Sequence, residues 1–189
     1  MTPEAVEHLC RSDKALARLI KKVGPCTMQL HTRRTPFIAL VTAVTYQQLN
    51  GTAAATILKR FLKLYPGKRF PTPADVLATP DDRMRAAGLS RAKTAAIKDI
   101  AAKTVAGIVP GSRVIIKLSN EEIIERLTRV RGVGPWTVEM LLMFTLGRLD
   151  VLPATDYGVR KGFAVTFGWK ELPTPKELLV PDNSGSSPV

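Results

Sequence analysis

Apolar residues recur at helical spacing along almost the whole chain. In "DKALARLIKKVG" (13–24), Leu16, Leu19, Ile20 and Val23 form one stripe; Ser12 is placed to cap that helix and Gly24 to stop it. Thr2 and Pro3 open a shorter helix before it, with proline in the first turn. Residues 36–49 are apolar almost all round, which predicts a buried helix broken by Asn50 and Gly51, and a second helix then runs to about Tyr65. "FPTPADVLATPDDRMRAAGLS" predicts two short helices with proline starts, and Ser90 opens a long one with basic residues on one side, "RAKTAAIKDIAAKTVAG". Residues 107–118 read as a loop or short extended stretch. "SNEEIIERLTRV" carries a Ser or Asn cap and two acids in its first turn. "WTVEMLLMFTLG" is a strongly apolar helix, "DYGVRKGFAVTFG" another with Asp156 at its mouth, and "TPKELLV" a last turn or two before a polar, mobile tail at 181–189. No internal repeat is visible, and no alternating run is long enough to build a sheet. The expected fold is all-α.

A length of 189 residues suits one domain, or two small lobes sharing a core, and 45% hydrophobic residues exclude wholesale disorder. Charge sharpens the picture: 28 Lys plus Arg against 16 Asp plus Glu leave a net +12, which points to a polyanionic partner, nucleic acid first. The basic residues do not gather on one amphipathic stretch, which disfavours an anionic membrane surface. No apolar run approaches the roughly 18 residues of a membrane span, and "MTPEAVEHLCRSDK" has early acids and no apolar core of a signal peptide. Cys10 and Cys26 fall short of the four thiolates of an iron–sulfur or Cys-only zinc site, and His8 and His31 have no metal-ligand spacing. No metal site is expected, and the two thiols suit a reducing compartment.

The stretch "EEIIERLTRVRGVGPWTVEMLLMF" reads as helix, tight turn, helix. Gly132 and Gly134 can take positive φ and expose amides, and Pro135 suits the first turn of the second helix, where its missing N–H goes unused. Outward N–H groups at the positive end of a helix make a phosphate site that needs no base recognition. The same residues also suit a glycine-rich turn with no ligand. Asp156 likewise can be a plain N-cap for "YGVRKGF" or a working carboxylate, since the positive end of a helix favours its ionised form.

Four ordered motifs extend the pattern. "LTRVRGVGPWTVEMLL" followed by "DVLPATDYGVRKGF", with "FIALVTAVTYQQLNGTAAATILKRF" and "AAGLSRAKTAAIKDIA" upstream, resembles the helix-hairpin-helix DNA glycosylases over roughly residues 35–180, and within them the DNA-3-methyladenine glycosylase II (AlkA-like) branch. The resemblance implies a two-lobe all-α glycosylase domain over 1–180, with the helix-hairpin-helix at about 120–147 between the lobes. It implies Asp156 as the catalytic carboxylate, Arg131, Gly132, Val133 and Gly134 on the DNA backbone, and Trp136, Met140 and Tyr157 in the base pocket. Gln48 and Leu49, after Gln47, match the stretch that wedges into the gap left by a flipped base. Phe37, Tyr46 and Phe144 are further pocket candidates that at helical spacing more often belong to the core, while Arg131 and Lys161 are solvated or near phosphate.

Bifunctional relatives carry a lysine where Trp136 stands, and an indole cannot form an imine. The resemblance therefore implies a monofunctional base-excision enzyme, a monomer acting on duplex DNA with alkylated bases. It implies no cofactor beyond a structural monovalent cation on hairpin carbonyls. The compartment would be bacterial cytoplasm with its nucleoid, or a eukaryotic nucleus. Deaminated or etheno bases are the alternative substrates. A weakened or non-catalytic DNA-binding module is the other reading, because relatives of this type continue past "ELPTPKELL" into a further helix with tryptophan, proline and arginine, whereas here "VPDNSGSSPV" follows.

Overall fold

The computed structural model describes residues 3–32 and 34–179, and every element in that range is helical, so the expected all-α class holds. The chain divides into two compact units, one built from Leu30–Arg148 and the other from Met1–Gln29 together with Leu149–Val189.

The central unit is organised around α7 (Arg91–Val105), which packs against α3 (Pro36–Tyr46), α5 (Pro73–Ala78) and α6 (Asp81–Ala86). α3 packs in turn on α4 (Gly51–Lys63) and on α10 (Pro135–Phe144), which pairs with α9 (Asn120–Leu127). The core is made by side chains with no exposed surface: Leu40 and Val41 on α3, Phe61 on α4, Ile97 and Ile100 on α7, and Leu142 on α10. Each such side chain contributes roughly 1.5–3 kcal/mol relative to exposure, and this burial fixes the backbone on which the hairpin sits. Both helices flanking the hairpin belong to this unit.

In the other unit, α1 (Pro3–Ser12) packs on α2 (Lys14–Val23), and α2 on α11 (Tyr157–Phe167). A small aromatic group closes α11: Phe163 lies 4.5 Å from Phe167 and 5.6 Å from Trp169, centroid to centroid. α12 (Pro175–Leu179) is the last described element. The expected tail at 181–189 lies outside the described residues.

Four local expectations need correction. Ser12 ends α1 rather than capping α2, because its Oγ donates to the His8 carbonyl at 2.8 Å. Asp13 caps α2 instead, accepting from the amides of Ala15 and Leu16 at 2.7 and 2.8 Å. α3 stops at Tyr46, not Leu49, since Gln47 turns extended and Gln48 adopts φ 57°. Asn50 and Gly51 therefore start α4 rather than ending α3, with the Asn50 side chain accepting from Ala53 N at 2.8 Å. Residues 107–118 are not all loop: α8 (Ser112–Ile115) buries Ile115, and Arg148 Nη2 holds its exit through Leu118 O at 2.8 Å. Among the described residues no helix is long and apolar enough to cross a membrane.

Candidate active site

The hairpin is built from its glycines outward. α9 starts in a reciprocal cap, with Ser119 N donating to Glu122 Oε2 at 2.7 Å and Glu122 N to Ser119 Oγ at 3.2 Å. After α9, Val130 and Val133 are buried and anchor the turn from below. Gly132 takes φ 75°, and a β-carbon there would lie 3.0 Å from that of Ala96 on α7. Only glycine satisfies both conditions. Gly134, expected to share the positive φ, is instead extended at φ −95° with open space beside it. It serves as the N-cap of α10, ahead of Pro135, and no side chain caps that helix. The amides of Gly132 and Gly134 carry no hydrogen bond among the described residues. Arg131 is exposed at the same turn.

Asp99, Lys103 and Gln47 hold this turn from behind. Asp99, the one acid of α7, accepts from Arg131 N at 2.7 Å and from Lys103 Nζ at 2.9 Å, while Lys103 Nζ also donates to Arg129 O. Burial pushes the Asp99 carboxyl up, but the Arg131 amide and the Lys103 ammonium outweigh it and hold the carboxyl below its ordinary range. Gln47 Nε2 donates to Gly132 O at 3.0 Å and to Thr137 Oγ1 at 3.2 Å. Lys93 Nζ donates to the carbonyls of Thr45 and Gln47 at 2.7 and 2.9 Å, and burial lowers its pKa. The isolated acid in a basic helix was the available signal for Asp99; the others emerge only when α3, α7 and the hairpin meet.

Between α3 and α10 lies a cavity of about 400 Å³, lined among others by His31, Arg34, Tyr46, Thr137, Met140 and Phe144. His31 N bonds Phe144 O at 2.7 Å and so ties the segment before α3 to the end of α10. Met140 is among the residues that line this cavity. Tyr46 and Phe144, pocket candidates that also read as core, line this cavity, whereas Phe37 is buried edge-on against Phe70. Trp136, at the first turn of α10, is 41% exposed. Gln48 and Leu49 are exposed on the turn that joins α3 to α4.

Asp156 and Tyr157 belong to the other unit. Buried Pro153 and Ala154 bring the chain to Asp156, whose amide donates to Pro153 O at 2.9 Å. Asp156 is half-buried and caps α11, with Oδ1 accepting from Val159 N at 2.9 Å. Tyr157 is 64% exposed, and Lys161 Nζ stands 5.9 Å from its ring centroid. Arg160 turns away to donate to Pro173 O at 2.6 Å.

The chain matches the family of HhH-GPD superfamily base excision DNA repair proteins over residues 41–179. It is 39% identical to DNA-3-methyladenine glycosylase 1 of Schizosaccharomyces pombe over 173 residues, which is 91% of this chain and 76% of the relative. The solved structure of a 3-methyladenine DNA glycosylase from that yeast, in complex with abasic DNA, superposes with a TM-score of 0.81 at 39% identity, covering 93% of this chain and 86% of that one. A DNA-3-methyladenine glycosidase from Bacillus halodurans superposes with a TM-score of 0.82 at 31% identity, covering 94% and 80%.

Proposed function

The chain belongs to the HhH-GPD superfamily of base excision DNA repair proteins, and we propose that it is a monofunctional glycosylase for alkylated purines such as 3-methyladenine in duplex DNA. The observation that carries this reading is the Asp156 carboxylate, held at the mouth of α11 by its bond to Val159 N. The relatives named for 3-methyladenine supply the substrate class.

The open amides of Gly132 and Gly134, at the positive end of α10, take a phosphate without reading sequence, and the net charge of +12 draws the duplex in. An everted base stacks on Trp136, and a methylated purine, being cationic, gains further from the indole face. As the bond between C1′ and the base nitrogen breaks, its electron pair leaves with the base and positive charge develops on the sugar. Asp156 stabilises that charge and takes the proton of the water whose oxygen bonds to C1′. The product is an intact strand with an abasic site. No amine stands where Trp136 is, so the sugar is not captured as an imine and the strand is not cut.

The enzyme works as a monomer without an organic cofactor. The carbonyls of Arg131 and Val133 accept no hydrogen bond among the described residues. Neutral carbonyls of this kind suit a monovalent cation, which would add positive charge beside a bound phosphate. The deciding experiment is incubation with methylated duplex DNA, followed by chromatography of the released bases. Free 3-methyladenine is the expected result. Release of only deaminated or etheno bases from matched substrates would move the substrate class. Binding with no release from any of them would leave a DNA-binding module.

A further inference from the structure

We infer that Gln47 is a positioning residue that locks the turn carrying Gln48 and Leu49 to the hairpin, so that phosphate capture and insertion into the base stack act as one rigid piece. The inference rests on the glycosylase reading above. The side-chain amide nitrogen reaches both the hairpin turn and the helix that follows it, donating to Gly132 O at 3.0 Å and to Thr137 Oγ1 of α10 at 3.2 Å. Gln47 is fixed through its backbone as well. Its N–H reaches Ala43 O at 3.1 Å, and its carbonyl takes the Lys93 ammonium at 2.9 Å.

The next residue shows what this fixation holds. Gln48, at φ 57°, is the only non-glycine with positive φ among the described residues. Such a conformation persists where its surroundings over-determine it. Leu49 N closes the turn onto Tyr46 O at 3.3 Å, and the Asn50 cap fixes the far side through Ala53 N. The outcome is an exposed Gln48 and Leu49 on a turn braced at both ends. Packing between α3 and α10 does not need the bracket, since Leu40, Val41, Val138 and Leu142 are buried without it. The amide joins two exposed loops, one suited to phosphate and the other to stacking. The contact needs a donor, because a carboxylate at this place would face the Gly132 carbonyl oxygen.

The test uses Gln47→Met, which keeps length and loses the donors, with Gln47→Glu as the harsher variant. Four quantities are read: melting temperature, affinity for undamaged duplex with its salt slope, the fluorescence rise of 2-aminopurine next to an abasic site on binding, and single-turnover base release from methylated duplex. The Met variant is expected to melt like wild type and to bind undamaged duplex within about twofold, with the same salt slope, because the hairpin amides are untouched. Its fluorescence rise should be lost and its base release should fall about tenfold. A lesion in an already unstacked bulge should recover much of that loss. Wild-type fluorescence and release in the Met variant would overturn the inference. So would equal losses in undamaged-duplex affinity and in release, since Gln47 would then only prop the hairpin. If wild type releases no base at all, the glycosylase reading fails, while the fluorescence arm on abasic duplex still decides the role of Gln47.

Discussion

A β-carbon on residue 158 would lie 3.0 Å from Asp156 Oδ1, so Gly158 is what lets the carboxylate fold back onto the start of its own helix. Gly158 is in the first turn of α11 and needs no special backbone angle. Its role is the space it leaves beside the oxygen that accepts from Val159 N. Alanine there is otherwise favourable to a helix. It would move the carboxylate by a few tenths of an ångström while leaving the charge in place.

Gly158→Ala is therefore expected to fold and bind DNA like wild type but to release base several-fold more slowly, since transition-state stabilisation depends on the placement of the anion. Asp156→Asn sets the scale. Losing the anion costs roughly 3–4 kcal/mol, or a factor of hundreds to a thousand in single-turnover rate, again with DNA bound. A Gly158→Ala enzyme as fast as wild type would show that the orientation of Asp156 does not limit the reaction.

The two hairpin glycines are expected to differ. Gly132 combines φ 75° with a 3.0 Å approach to Ala96, whereas Gly134 is extended beside open space. Gly132→Ala should cost about 1–2 kcal/mol of stability and weaken duplex binding along with it. Gly134→Ala loses only a preferred N-cap residue, roughly 0.5 kcal/mol. Denaturant melts of the two variants decide the order. A larger loss at Gly134 would contradict the geometry.

What sequence revealed and what it hid follow from the range of the forces involved. The hairpin and the Asp156 cap are legible because glycine, proline and N-cap chemistry act within four residues, and Ser90 and Ser119 are legible as caps for the same reason. Ser12 and Asp13 are adjacent residues that can both cap, and they are separated by the Ser12 bond to His8 O and by the amides of Ala15 and Leu16 on Asp13. α8 spans four residues, too few to show a period. The end of α3 is set by Gln48 and by the Lys93 ammonium on Gln47 O, a contact 46 positions apart that no local pattern encodes. The brackets behind the hairpin, Asp99 on Arg131 N and Gln47 on Gly132 O, are hidden for the same reason.

Asp99 gives the hairpin a pH dependence of definite sign. Its carboxyl is held below the ordinary value of 3.8, so it contributes stability that is present above that value and lost as pH falls through the lowered one. Asp99→Asn keeps the shape but offers Lys103 and the Arg131 amide no charge. The melting temperature of this variant should lie below wild type at neutral pH, with the gap closing as the pH falls below 3.8. Differential scanning calorimetry from neutral to acid pH measures it. A gap that persisted unchanged at acid pH would mean that the carboxylate charge does not support the turn.

On the proposed reading, Trp136 separates excision alone from excision with strand cutting. After base loss the wild-type enzyme should leave an intact abasic strand, and borohydride should trap no covalent adduct, because an indole has no amine to form an imine with the sugar. Placing a lysine at 136 is not expected to convert the enzyme. The proposed excision stacks the base on the indole face of Trp136, which is 41% exposed at the first turn of α10. Lysine would remove that face, and stacking of this kind contributes roughly 1–3 kcal/mol per base. Trp136→Lys should therefore lose several-fold or more in base release, with Trp136→Phe in between, whether or not traces of adduct form. Gel analysis of the strand with borohydride, alongside chromatography of the free base, reads both quantities from one reaction. Efficient trapping by wild type would show that another amine attacks the sugar. Lys161, one helical turn from Asp156 in α11, would be the first to replace.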